Sequence, residues 1–475
     1  MIKKTSGYTK NDTSSVSIQT PLFDAELIQR YDGNGPRYTS YPTAAQFSAA
    51  FTAGDYIAAA KKTNELLIPA PLSLYVHIPF CDTVCYYCAC NKVITKNRAH
   101  AKKYVDYLVR EIAWHADLYD RDRKVVQLHF GGGTPTFLSI PQFDQLVQTF
   151  ETHFSLVKDT QRDFSIELDP RAVDKEYVFH LGKLGFNRFS LGVQDLDKNV
   201  QRAVNRIQSF GQTLNIINAC RTAGADSVNI DLIYGLPEQT HISFGNTLDT
   251  VIDKFRPDRL SIFNYAHLPE RFKTQRQIDA DLLPTSEDKL CILETAINTL
   301  SAAGYIHIGM DHFALQSDSL VKAFNEKTLQ RNFQGYSTHG GCDLVSMGVS
   351  AIGKPGRNFY QNTKLLEDYY ALIDDSKLPI DRGLKMSAED RIRSEIIQQL
   401  SCYHELRTVE FRVDFKHEFS WEIAQLEKFV QDGLIENHTD VWRVTAKGRL
   451  LIRNICAVFD RYQHPSTSTG FSRLI

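Results

Sequence analysis

A chain of 475 residues, 43% of them hydrophobic, is too long for one ordinary core, so two or more domains are expected. Its formal net charge of -2 argues against a general attraction to nucleic acid or an anionic membrane. It contains no apolar run of the roughly eighteen residues that a transmembrane helix needs.

The opening, "MIKKTSGYTKNDTSSVSIQTP", has no apolar segment and no arginine, unlike a secretory or mitochondrial presequence. Residues 1–21 read as a disordered tail, and the cytoplasm is the expected location. Nine cysteines without a signal peptide do not suggest a disulfide framework. Five of them, Cys220, Cys291, Cys342, Cys402 and Cys456, stand singly and read as small buried hydrophobes.

Residues 22–71 hold "GNGPRYTSYPTAAQF", a Pro- and Tyr-rich arm that is not a strand–helix unit. From Leu72, short β-rich runs ("LSLYVHI", "VVQLHF", "FSIEL", "NRFSLGV", "SVNIDLI", "RLSIFNY") alternate with amphipathic segments such as "AHAKKYVDYLVREIAWHADL" and "SFGQTLNIINACRTAG". Six such strand–helix units over 72–383 predict an α/β domain. Its parallel sheet has right-handed crossovers and is either doubly wound or curled into a barrel. Functional residues in such folds lie at strand ends. A cysteine loop follows strand one, "GGGTP" follows strand two, Glu167 ends strand three and Gln194 follows strand four. Over 384–464, "MSAEDRIRSEIIQQLSC" and "SWEIAQLEKFVQDGLIE" read as helices, and "DVWRVTAKGRLLIRNIC" as a strand leading into a helix. That order resembles a winged helix. Without a dense basic face, a packing domain or lid is expected rather than a DNA binder. Residues 465–475 form a C-terminal tail.

The loop "HIPFCDTVCYYCACNK" carries Cys81, Cys85, Cys88 and Cys90. These spacings are too tight for disulfides within the loop and suit a metal. Zinc takes four ligands, often as two separated pairs, and no second pair exists. An iron–sulfur cubane fits better, because thiolates from one short loop can reach three of its corners. Three protein ligands leave one iron open for chemistry.

The order Cys-x3-Cys-x2-Cys resembles the radical S-adenosylmethionine (SAM) superfamily. The longer pattern with Cys90 resembles the oxygen-independent coproporphyrinogen III oxidases within it. "GPRYTSYPTA", "SLYVHIPFC", "QLHFGGGTPT", "GFNRFSLGVQD", "NIDLIYGLP", "RLSIFNYAHLP", "IGMDHFA", "RNFQGY" and "TAKGRLLIRNIC" extend the likeness over nearly the whole chain. The resemblance implies a catalytic domain over 72–383, an incomplete barrel of six strand–helix units with flanking strands, with the arm of 22–71 over the substrate site and a mostly helical C-terminal domain. It implies one [4Fe–4S] cluster on Cys81, Cys85 and Cys88, whose open iron chelates SAM, and reductive release of a 5′-deoxyadenosyl radical. The activity implied is conversion of two propionates of coproporphyrinogen III, on rings A and B, into the vinyl groups of protoporphyrinogen IX. An electron donor and an acceptor would serve a monomer that binds neither nucleic acid nor membrane.

By the same resemblance Tyr75, Gly132, Glu167 and Ile352 line a first SAM. Tyr87, Gly133, Thr134, Gln194, Arg206, Asp231 and Ala266 surround a second. Cys90 is a catalytic candidate outside the cluster, and Arg37 in "GPRYTSYP" is a candidate for a substrate carboxylate. The basic run Lys92, Lys96, Arg98, Lys102 and Lys103 is its rival, though it also reads as a solvated helix start. Tyr87 and Ala89 depart from the family's usual phenylalanine and glycine. His77, His129, His267 and His312 read as hydrogen-bonded core residues rather than metal ligands. A phosphate-binding P-loop fails for "GGGTP", since no Gly-Lys-Ser/Thr follows. The alternative function is a haem chaperone of the same superfamily, whose members lack the fourth cysteine and most of the arm. A zinc-dependent winged-helix DNA binder would lack "GGGTP" and the six units.

Overall fold

The computed structural model describes residues 19–33 and 35–463, so most of the expected N-terminal tail and all of the C-terminal tail lie outside the described residues. Six parallel strands form the body of the largest sheet: β1 (Leu72–Ile78), β2 (Lys124–Gly132), β3 (Asp163–Leu168), β4 (Arg188–Gln194), β5 (Ser227–Tyr234) and β6 (Arg259–Asn264). Each pairs with its sequence neighbour. Because the order never reverses, right-handed crossovers place every helix on one face, which a doubly wound sheet does not do. Beyond β6 the sheet continues with the antiparallel β8 (His312–Leu315) and β7 (Tyr305–Gly309), and β9 (Asp343–Met347) pairs with the other side of β1. No pairing joins β7 to β9 among the described residues, so the barrel is incomplete.

The two faces of the strands differ in chemistry. In β3, Phe164, Ile166 and Leu168 are buried against the helices, while Asp163, Ser165 and Glu167 alternate to the other face. Strand β4 repeats this with Phe189, Leu191 and Val193 against Arg188, Ser190, Gly192 and Gln194. Polar residues from β2 to β6 and His312 of β8 line one internal cavity, which shows that the sheet is curled. The expected strand ends shift by a residue or two. Gln194 is the last residue of β4, Glu167 is the penultimate residue of β3, and Gly131 and Gly132 end β2.

The C-terminal part has its own core, built on helices Ala388–Tyr403, Ser420–Gln431 and Ile452–Ala457 with a three-stranded antiparallel sheet. The arm divides between the two bodies. Leu27, Tyr38 and Tyr41 join the C-terminal core, and Arg453 donates to the carbonyls of Gly35 (3.0 Å) and Pro36 (3.3 Å). Helix Ala53–Asn64 instead sets Tyr56 and Ala60 into the barrel core. Among the single cysteines, Cys220, Cys402 and Cys456 are buried as expected. Cys291, on helix Ser286–Ala302, is exposed, and Cys342, in the loop just before β9, is partly so.

One buried network fixes the turn that leads into Ile352. Glu111, fully buried on helix Ala99–Ala116, accepts from Gly348 N (2.8 Å), Asn362 Nδ2 (2.7 Å) and Tyr369 Oη (2.6 Å). Tyr104 Oη donates to His77 O (2.8 Å) and accepts from Val349 N (2.9 Å). Gly348 has φ +92°, and a Cβ there would stand 2.5 Å from Tyr104 Oη, so only glycine fits. Glu111→Ala would strand the donors Gly348 N and Tyr369 Oη and leave Asn362 Nδ2 with only the Gly348 carbonyl. It should destabilise the protein by about 2–4 kcal/mol, read as a lower guanidinium midpoint than that of the unmutated chain. An unchanged midpoint would contradict the network's role.

Candidate active site

The cysteine loop leaves β1 and folds across the open end of the barrel. Cys81, Cys85 and Cys88 line one cavity with Cys90, and each thiol that must bear negative charge has a donor nearby. Thr134 Oγ1 lies 3.4 Å from Cys81 Sγ, Arg206 Nη1 lies 3.4 Å and Arg171 Nη2 3.5 Å from Cys85 Sγ. A hydrogen bond from Cys90, helped by Lys92, pulls the Cys88 thiol down to about 6, and the same bond raises Cys90. Three soft thiols on one cavity wall, compensated by cationic and hydroxyl donors, are the donor set of an iron–sulfur cluster. Among the described residues no three Cys, His, Asp or Glu side chains converge on a single-ion position.

Two adjoining cavities separate most of the expected residues into two sets. Tyr75, Gly132, Glu167 and Ile352 line one, together with His77, Cys90 and Phe333. Tyr87, Gly133, Thr134, Gln194, Arg206 and Asp231 line the other, with the cluster cysteines. Cys90, His129, Gly132 and Glu167 border both. Ala266 lies on neither wall but is tied to Tyr87. Gln275, itself buried, donates through Nε2 to Tyr87 O (3.0 Å) and Ala266 O (3.1 Å). Ala89 is not among the residues with positive φ, so the loop accommodates it without a glycine-only torsion.

The first set is held by short polar contacts. Glu167 Oε2 accepts from Gly132 N (3.1 Å), and its Oε1 lies 3.4 Å from His129 Nε2. Gly132 has φ +116°, and a Cβ there would strike the His77 ring at 2.7 Å, so glycine lets strand and histidine approach. Tyr75 stacks on His129 at 5.7 Å and shares a hydrogen bond of 3.1 Å with His77 Nδ1. In the second set Asp231 accepts from Ser190 Oγ (3.1 Å) and Asn229 Nδ2 (2.8 Å). Burial, with Glu167 adding to it, pushes its carboxyl up to about 6. Arg206 donates to Asp169 Oδ2 (3.1 Å) and to the Gly192 carbonyl, while its buried Nε has no partner. A buried guanidinium with one N–H unmet is suited to an anionic ligand.

His77, His129 and His267 are hydrogen-bonded, to Asn91 O, Ser165 Oγ and Tyr265 Oη respectively. His312 departs from expectation. It stands edge-on to Phe263 and Tyr336, with its Nδ1 unpaired. In the basic run, Lys92 Nζ donates to Cys88 O (2.8 Å), Arg98 pairs with Asp82 (2.9 Å), Lys102 with Asp106 (3.3 Å), and Lys103 lies over the Tyr370 ring. Arg37 donates to Asn264 O (2.9 Å) at the end of β6 and stands 3.8 Å from Asp311. Sequence reasoning missed Asp169, Arg171, Gln275 and Glu111. The first two stand in "ELDPRAV", immediately after a strand end, which is the only signal that marked them.

Comparison with known proteins identifies the family. Residues 75–251 match the radical SAM superfamily, and residues 386–451 match the HemN C-terminal domain. The chain is 50% identical to the oxygen-independent coproporphyrinogen III oxidase of Pseudomonas aeruginosa, over 96% of this chain and 100% of that one. It is 45% identical to the enzyme of the same name from Escherichia coli, over 97% and 100%. A solved structure described as "Coproporphyrinogen III oxidase (HemN) from Escherichia coli is a Radical SAM enzyme" superimposes with a TM-score of 0.88 at 43% identity, covering 94% of this chain and all of that one. With three thiols on one cavity wall and this full-length correspondence, the chain belongs to the oxygen-independent coproporphyrinogen III oxidase family of radical SAM enzymes.

Proposed function

We propose that the chain converts the ring A and ring B propionates of coproporphyrinogen III into vinyl groups, giving protoporphyrinogen IX without oxygen. The observation that carries this reading is the three-cysteine wall opening onto two adjoining cavities, in a chain that matches its relatives over their full length. When bound, a [4Fe–4S] cluster and SAM supply a carbon radical able to take a hydrogen atom from a propionate β-carbon. Loss of the carboxylate as carbon dioxide then leaves one electron for an acceptor. Each propionate therefore needs an electron donor and an acceptor from outside this chain.

Cys81, Cys85 and Cys88 hold the cluster in this reading, and Cys90 remains free to serve turnover. Glu167, fixed by Gly132 N, presents its carboxylate to the ammonium or ribose hydroxyls of a first SAM, with Tyr75 and Ile352 on the same wall. A second SAM would sit against Tyr87, Gly133, Thr134, Gln194, Arg206 and Asp231, with Ala266 joined to that wall through Gln275. Arg206, whose buried Nε has no partner, is suited to its carboxylate, and Asp231 to its amine or hydroxyls.

The substrate carries four carboxylates and the chain is nearly neutral, so local cations must hold it. Arg37 is our candidate. It stands at the end of β6 with its side chain one-third exposed (33%), and beyond its bond to Asn264 O its planar fork has further N–H groups to offer a carboxylate. Arg37→Ala should keep iron and SAM binding but form vinyl groups poorly at low substrate. The test is the substrate dependence of anaerobic vinyl formation in both proteins. Equal kinetics would remove Arg37 from the site, and no vinyl product in the unmutated protein would overturn the function.

A further inference from the structure

Two guanidinium groups converge on the sulfur of Cys85. Arg171 binds Asp169 in a fork, Nε to Oδ1 at 3.0 Å and Nη2 to Oδ2 at 2.7 Å, and the same Nη2 lies 3.5 Å from Cys85 Sγ. Arg206 reaches the same two groups, its Nη1 3.1 Å from Asp169 Oδ2 and 3.4 Å from the sulfur. Cys85 and Arg206 are buried, and Arg171 is mostly so. Cys81, by contrast, meets a hydroxyl, and Cys88 has Lys92 and Cys90 beside it.

The charges beside Cys85 do not cancel. Two guanidinium groups share one carboxylate, so a positive surplus rests against this sulfur. N–H donors and positive charge at a ligand sulfur favour the form of a cluster that carries the extra electron, and so raise its reduction potential. We infer that Arg171 is a positioning residue that raises the reduction potential of the cluster, acting on Cys85 Sγ and, through their shared Asp169, holding Arg206 against the same sulfur. The inference rests on the reading that Cys81, Cys85 and Cys88 hold the cluster. Asp169 has the opposite electrostatic effect, since its negative charge disfavours the added electron.

The test is a redox titration of the full-length, cluster-loaded enzyme followed by electron paramagnetic resonance. At the potential where the unmutated cluster is half reduced, Arg171→Ala should show a ratio of reduced to oxidised cluster about tenfold lower. That is the size expected from loss of one charge-assisted hydrogen bond. Arg171→Lys, which keeps the charge and one donor, should fall between the two. Iron and sulfide per chain should be unchanged in both. Coincident titrations of all three proteins would overturn the inference. Should Arg171→Ala fail to hold iron, Arg171→Gln, which keeps an N–H donor and loses the charge, takes its place. Its ratio should fall below that of Arg171→Lys, and coincidence with the unmutated protein would overturn the inference. Absence of iron and of the resonance signal in the unmutated protein would instead contradict the cluster reading itself.

Discussion

Replacing Cys81, Cys85 or Cys88 with alanine is expected to give colourless protein without turnover, while Cys90→Ala keeps its brown colour and loses much of its activity. The first three thiols share a wall with Thr134, Arg171, Arg206 and Lys92, whose donors compensate thiolate charge. With one corner ligand lost, two protein thiolates remain for a cluster that needs three. Cys90 lies differently. It is exposed, borders both cavities, and touches the loop through Cys88 rather than adding a separate corner. Iron and sulfide per chain, with the visible absorbance of anaerobically purified variants, decide the matter. Iron lost in Cys90→Ala but kept in Cys88→Ala would reverse the ligand assignment.

Arg206→Ala should weaken the second SAM site by about 1.5–3 kcal/mol, a loss on the order of ten- to a hundredfold in affinity, and leave the first site intact. Its Nε is the unmatched donor on that wall, and Asp169 would keep Arg171 as a partner, so the local fold should survive. Tyr75 and Ile352 line only the other cavity, and Glu167, which borders both, is held by Gly132 N rather than by this guanidinium. Anaerobic equilibrium binding resolves the two sites. Unchanged affinity at both, or a single SAM bound by the unmutated protein, would contradict the two-site reading.

Much of this was legible in the sequence because its signals are local. Four cysteines within ten residues, "GGGTP" after a strand and the alternation in "FSIEL" and "NRFSLGV" each carry their meaning within a short window. The choice between barrel and flat sheet was not local. It depended on whether strand order reverses and on polar side chains from β2 to β6 facing one lumen, which no single window records. The supporting residues were hidden for the same reason. Glu111 is a mid-helix carboxylate by sequence, yet its partners Gly348, Asn362 and Tyr369 lie more than two hundred residues away. Gln275 joins Tyr87 to Ala266 from a short 3-10 helix without periodicity. His312 read as a satisfied core residue and is instead held among aromatic edges.

The most direct measurement is the mass of the product after anaerobic incubation of the full chain with coproporphyrinogen III, SAM and a low-potential reductant. The account predicts a porphyrinogen lighter by two carbon dioxides and four hydrogens, formed only when SAM is present. Cleavage of SAM with the tetrapyrrole recovered at its starting mass, or tetrapyrrole bound tightly and unchanged, would contradict it and favour a chaperone that has kept the cluster without the decarboxylation.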